Sequence, residues 1–203
     1  MPSRNRVKDY GAGVYYHLYN RGNNKDVIFQ DSQDYAVFLN LIKRHLSPVE
    51  TTDKLGRPYR NLSKEVELLA FCLMPNHYHL LIYQHTQEGM TQLLRSVATA
   101  YSGYYNKKYQ RVGRLFQDAF KASAVDSDTY LEHISRYIHL NPKDWKTWEW
   151  SSLPYYLHQK TADWVKHEEI SGMFKYGEYL EFVADYQENK EMLDEIKDSL
   201  ADH

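Results

Sequence analysis

The stretch that decides the fold is Val66–Tyr83, VELLAFCLMPNHYHLLIY. Val66 to Leu73 is an apolar run, Met74-Pro75-Asn76 interrupts it, and HYHLLIY resumes at His77. Two strands meeting at so short a break make a β-hairpin. A segment of helical period lies on either side. Upstream, Asp31 is placed to cap a helix through DYAVFLNLIKRHL, where Tyr35, Phe38, Leu39 and Ile42 share a face. Downstream, Gly89 to Tyr109 repeats Leu93, Leu94, Val97 and Tyr101 at helical spacing. Farther out, Val14 to Asn20 (VYYHLYN) reads as a strand broken by Arg21-Gly22-Asn23-Asn24. Leu115 to Val125 alternates well enough to be expected as the fourth strand, after a Gly-containing basic turn at Arg111–Arg114. Ser47 to Ser63 mixes Pro, Gly and charges without a period, which predicts an exposed loop.

The order strand, helix, strand, strand, helix, strand is that of the ferredoxin-like split β-α-β arrangement. The expected class is therefore α+β: an antiparallel sheet with helices on one face and an added C-terminal helical tail. One further helix, DTYLEHISRYIHL, follows the fourth strand, with Asp126 or Ser127 as its cap and Asn141-Pro142 as its stop. Beyond it come a Trp-rich strap, WKTWEWSSLPYYL, and acidic helices. The expected division is residues 1–145 as the working domain and 146–203 as strap and tail.

The chain has 203 residues, 42% hydrophobic and 26% charged, ample for a core and unlike a disordered protein. A mean hydropathy of −0.71 without a long apolar run excludes a membrane-spanning helix. MPSRNRVKDYGAG has no apolar centre, so no secretory signal is expected. The single cysteine, Cys72, lies in an apolar run and predicts packing in a reducing cytoplasm. The formal net charge of −2 hides an asymmetry: residues 1–150 carry +5 and residues 151–203 carry −7. A basic body with an acidic tail suits a protein that handles polyanions, and equally a solvated surface.

His77-Tyr78-His79 places two imidazoles on one face of a strand, where they can share a divalent metal. Two polar residues on a half-exposed strand are the plainer reading of so short a motif. Tyr137 and Asn141 lie four apart at the end of the last helix, with His133 one turn earlier on the same face. A tyrosine can act as a covalent nucleophile and an amide oxygen can ligate a hard cation. Alone, one tyrosine among 19 is more simply core or surface. Residues 95–121 hold Arg95, Lys107, Lys108, Arg111, Arg114 and Lys121 against Asp118 alone, interleaved with Tyr101, Tyr104, Tyr105, Tyr109 and Phe116. Basic and aromatic residues together suit single-stranded nucleic acid.

Taken together, LMPNHYHLLI and YIHLNP resemble the motifs of the single-tyrosine HUH transposases, and among them the REP-associated tyrosine transposases. YHLYNRGNNKDVIF, GRLFQDAFKASAV and WSSLPYYL extend the resemblance over most of the first 155 residues. It implies a metal held by His77 and His79 with Asn141 completing the site, Tyr137 as nucleophile, and Arg21 near the DNA. It further implies Mg2+ or Mn2+, and a reaction that cuts single-stranded DNA to a 5′-phosphotyrosine and a free 3′-OH before rejoining. Expected partners are hairpin-forming repeat sequences and no membrane. The expected state is a monomer or homodimer in the cytoplasm, at the nucleoid. A hairpin-binding regulator that does not cut and a metal-dependent phosphoesterase are the rival readings.

Overall fold

The computed structural model describes residues 10–125 and 128–185. Four strands, β1 (Val14–Arg21), β2 (Val66–Met74), β3 (His77–Gln84) and β4 (Lys121–Val125), form one sheet in the order β2-β3-β1-β4. Every neighbouring pair is antiparallel. This is the strand order that a split β-α-β unit produces.

The first helix, α1 (Ser32–Leu46), starts at a capping box in which Asp31 accepts from the Asp34 N–H and the Asp34 side chain returns to the Asp31 backbone. The second, α2 (Gly89–Lys108), starts where a glycine is required. A Cβ on Gly89 would stand 2.6 Å from Val66 Cγ2 and 2.8 Å from the Glu65 carbonyl oxygen. Both helices cover one face of the sheet, where Leu18, Tyr78, Leu80 and Ile82 meet Phe38, Ile42, Val97 and Tyr101. These are the two helices expected on one face.

The helix after β4, α3 (Asp128–His139), lies on the other face with Leu131, Ile134 and Ile138 against Leu69, Cys72 and Leu81. The sheet is therefore covered on both sides. The strands show why: β2 and β3 bury successive residues, Leu68 through Leu73 and Tyr78 through Ile82, which a one-sided sheet would not do. The expected caps Asp126 and Ser127 lie outside the described residues.

The strap runs along the outer edge of β2. The Leu73 N–H donates to the Trp150 carbonyl at 2.9 Å, and the Ser152 N–H to the Phe71 carbonyl at 2.9 Å. Short helices α4 (Leu153–Tyr156), α5 (Glu168–Ser171) and α6 (Glu178–Ala184) follow and pack against α3 and β2. Two buried side chains of α3 hold them there. His139 bonds the Tyr179 hydroxyl and the Ser152 hydroxyl, each at 2.7 Å. Arg136, 1% exposed, donates to the Phe182 and Asp185 carbonyls at the end of α6, as a cation at a helix C-terminus should. The remainder of the acidic tail lies outside the described residues.

One expected element is shorter than its pattern. Only Lys121–Val125 pairs as a strand, while Leu115–Phe120 is irregular. Leu115 and Phe116 are consecutive and both buried, so they anchor the segment to the core without pairing as a strand. Beyond Arg21 the partner chain turns away through Gly22, leaving a single bridge to Phe116 and no ladder.

Candidate active site

The register of the sheet assembles the site. Arg21 faces His77, and Tyr19 faces His79 across β1 and β3. Tyr19 faces Lys121 across β1 and β4. Directly opposed residues of an antiparallel pair project to the same side, so these five side chains share the face that α3 covers. The hairpin turn is held in place by the segment after β1: the Asn76 carbonyl accepts from Gly22 N–H at 2.8 Å, and Pro75 from Ile28 and Phe29.

His77 and His79 stand with ring centroids 5.1 Å apart. Tyr137 meets His79 edge-on at 5.5 Å, and the buried His17 of β1 at 5.7 Å. Asn141 points its Oδ1 at His77 Nε2 from 3.5 Å and donates its amide to the Tyr137 carbonyl at 3.0 Å. The structure thus brings Tyr137, His77, His79 and Asn141 into one cluster. His133, on the same helix, lies elsewhere, against Arg136 and Phe182.

Two hydrogen bonds fix where the protons are. The Asn76 amide donates to the Lys25 carbonyl at 3.2 Å, which leaves its Oδ1 to accept from His77 Nδ1 at 2.7 Å. His77 Nε2 is then a bare lone pair. Asn141, by the same reasoning, offers it an oxygen. Two acceptors facing each other at 3.5 Å are poorly matched alone and well matched around a cation. The donor set fits a divalent metal: two imidazoles and an amide oxygen. Among the described residues no group of three or more His, Cys, Asp or Glu is placed to hold a metal ion.

Electrostatics keep the cluster neutral. Burial lowers the pKa of His77 and takes that of His79 well below the ordinary 6.5, with the neighbouring histidines adding to the shift in His79. His17 falls to about 3 through burial. Neutral imidazoles are the form that ligates metal. Burial also raises the Tyr137 phenol, against which the hydrogen bond from Asn141 acts.

A model of the family described as IS200-like transposases matches residues 12–141, which contain all four of these side chains. The chain belongs to the IS200-like transposase family. It is thus a transposase of the single-tyrosine class. Its fold resembles that of a REP-associated tyrosine transposase solved bound to a REP hairpin, with 15% identity and a TM-score of 0.56 over 82% of this chain and 92% of that one. A putative transposase from Deinococcus radiodurans aligns at 16% identity and a TM-score of 0.41, over 66% and 94% of the two chains. No curated protein matches the sequence.

The basic residues of the transposase divide by position. Arg21 and Lys121 line a hollow of about 230 Å³ beside the histidine pair, with Tyr19, Gln117 and Asp118. Asn20, Asp118 and Ala119 carry that hollow into a second, against Arg95, and Asp118 and Ala119 reach a third, against Arg114. Lys107 is exposed on α2. Arg111 lies over the Tyr105 ring, 3.8 Å from Asp26. Lys108 is engaged within the fold: its ammonium sits 2.8 Å from both oxygens of Asp31 and from Asp34.

The aromatic residues expected as stacking faces are also committed. Tyr101, Tyr105 and Phe116 are buried, and the hydroxyls of Tyr104 and Tyr109 bond Asp34. The aromatic ring that lines the hollow beside the histidines is Tyr19, with Lys121 5.5 Å from its centroid.

Sequence reasoning missed His17. It is 1% exposed and its Nε2 lies 2.9 Å from His79 Nδ1. Its signal was faint: it is in phase with Tyr19 and Arg21 in β1, and only the β1–β3 register puts it beside the motif.

Proposed function

We propose that this transposase cuts and rejoins single-stranded DNA through a 5′-phosphotyrosine on Tyr137, at repeats that fold into hairpins, as a member of the REP-associated branch. The observation that carries this reading is the convergence of Tyr137, His77, His79 and Asn141 on one face of the sheet. The hairpin substrate is supported by the fold shared with the REP-bound transposase.

The chemistry follows from the parts. The Tyr137 oxygen attacks phosphorus and the 3′ oxygen leaves, so one phosphoester replaces another. The phenol surrenders its proton as the new bond forms, and the departing 3′ oxygen takes one up. Because the adduct keeps the ester, a second 3′-OH can reverse the step without an external energy source. A divalent cation, when held by His77, His79 and Asn141, supplies positive charge beside a nonbridging phosphate oxygen. Arg21 and Lys121, flanking the pair on the same face, orient the phosphodiester and counter its charge. The strand then leaves across Tyr19 and the Asp118 lip toward Arg95 and Arg114.

The test is Tyr137→Phe. It keeps the ring against His79 and removes only the oxygen. Labelled hairpin-bearing single strands incubated with Mn2+ should give a denaturation-resistant protein–DNA band with the parent chain and none with the variant, while filter binding is unchanged. Cleavage surviving in Tyr137→Phe would point to a water nucleophile and a phosphoesterase. Binding without cleavage by the parent chain would point to a regulator.

A further inference from the structure

The buried histidine of β1 meets its neighbour in a way that packing does not require. His17 Nε2 and His79 Nδ1 are 2.9 Å apart, with the two ring planes only 20° from parallel and centroids 5.1 Å apart. An imidazole N–H and an imidazole lone pair both lie in the plane of their rings. Two rings meeting edge to edge, nearly coplanar, have the geometry of one N–H···N hydrogen bond. A leucine or phenylalanine would fill this place with no polar atom to satisfy, whereas His17 leaves its Nδ1 buried without a hydrogen-bond partner. An expense of that kind in a core is retained for a reason outside the core.

We infer that His17 is a positioning residue: it accepts the Nδ1 proton of His79 and so leaves the bare Nε2 of His79 for the cluster beside Tyr137. This rests on reading His77 and His79 as a ligand pair. The parallel with His77 supports it. There the acceptor is the Asn76 side-chain oxygen, 2.7 Å from Nδ1, and the freed Nε2 faces Asn141. Each histidine of the pair then has Nδ1 tied to an acceptor from a neighbouring residue and Nε2 aimed into the site. Such outer partners fix tautomer and ring orientation, and removing one commonly weakens metal binding by about 10- to 100-fold. The two acceptors differ in kind. Asn76 belongs to the hairpin turn itself, while His17 comes from the adjacent strand, so the second ligand is set only once β1 has paired with β3.

The experiment compares the full chain with His17→Gln, whose amide oxygen can occupy the position of Nε2, and His17→Phe, which keeps a ring and removes the acceptor. Nitrogen NMR of histidine-labelled, cation-free protein should show His79 protonated at Nδ1 in the parent and in His17→Gln, and that preference gone in His17→Phe. Mn2+ titration should give an affinity for His17→Gln within about threefold of the parent and for His17→Phe about 10- to 100-fold weaker. Thermal midpoints should be no lower for His17→Phe than for the parent, which separates a failure of positioning from a failure of folding.

His79 protonated at Nε2 in the parent would overturn the inference. So would equal Mn2+ affinity in a folded His17→Phe, or a His17→Gln as weak as His17→Phe. Pulsed EPR of the Mn2+ complex should count the same histidine nitrogens in the parent and in His17→Gln. One fewer in the variant would make His17 a ligand and overturn its positioning role. If the parent shows the Nδ1 tautomer yet binds no Mn2+, His17 still positions His79, and it is the metal in the proposed function that fails.

Discussion

At the scale of single residues, the site sets an acid–base problem for its proposed nucleophile. Burial raises the Tyr137 phenol, so in the resting protein it is protonated and a poor attacker. In the proposed reaction a divalent cation would supply the missing positive charge, and His77 and Asn141 are two of the groups that would hold it. They contribute unequally. His77 is anchored at Nδ1 by Asn76 and belongs to the strand, whereas Asn141 reaches in from beyond the end of α3. His77→Ala should abolish cleavage with the fold intact, and Asn141→Ala should lower the rate by about 10- to 100-fold, since water can replace an amide oxygen. Single-turnover cleavage against Mn2+ concentration measures both, and excess Mn2+ should rescue only Asn141→Ala. The shared face of His77 and His79 and the pairing of Tyr137 with Asn141 were legible because that spacing is local, i and i+2 on a strand and i and i+4 on a helix. Tyr137 itself was singled out by the resemblance of LMPNHYHLLI and YIHLNP to the family's motifs. His17 was not, because its partner is 62 residues away and the register that joins them is written nowhere in either segment.

At the scale of elements, α3 carries Tyr137, the proposed nucleophile, and is fastened on the side away from it. Its buried His139 joins the strap through Ser152 and α6 through Tyr179. Burial takes the pKa of His139, like that of His17, to about 3, from the ordinary 6.5. The unfolded chain therefore binds protons below pH 6.5 that the folded chain refuses until about pH 3. Stability is fully present above 6.5 and is lost as the pH falls toward 3, by about 1.4 kcal/mol per unit for each such histidine. Urea unfolding at pH 7.5 and at pH 5.5 should show the lower midpoint at pH 5.5, and His139→Phe should narrow the gap. A flat profile would mean that His139 admits water. The helices were legible from their period, and α1 begins at the Asp31 cap the sequence offers. The fourth strand was overextended because the apolar residues Leu115 and Phe116 anchor the chain to the core without joining the ladder, and nothing local tells a core anchor from a ladder.

At the scale of the whole molecule, the proposed single-strand path runs past the basic residues around the sheet's end. Arg95 and Arg114 line hollows that continue the one beside the histidines, and Lys107 stands exposed on α2. Replacing Arg95, Lys107 and Arg114 by alanine should reduce the log–log salt slope of single-strand binding by about 0.7 for each phosphate left unneutralised. Lys108→Met should leave the slope alone and lower the melting temperature, because it strands the fully buried Asp34 carboxylate without its cation. Fluorescence anisotropy across a salt series and a thermal melt read the two effects separately. The strap carries a different consequence. By lending the Trp150 carbonyl and the Ser152 N–H to β2, it occupies backbone groups that a sheet margin otherwise offers to any passing extended chain. A protein cut after Pro142 would keep every residue of the IS200-like match, which ends at Asn141, yet bare that margin. Such a truncation should behave as an adhesive rather than as a smaller enzyme. Sedimentation should find it in concentration-dependent aggregates where the parent chain runs as a discrete species, and a discrete, active truncation would show that the strap is dispensable.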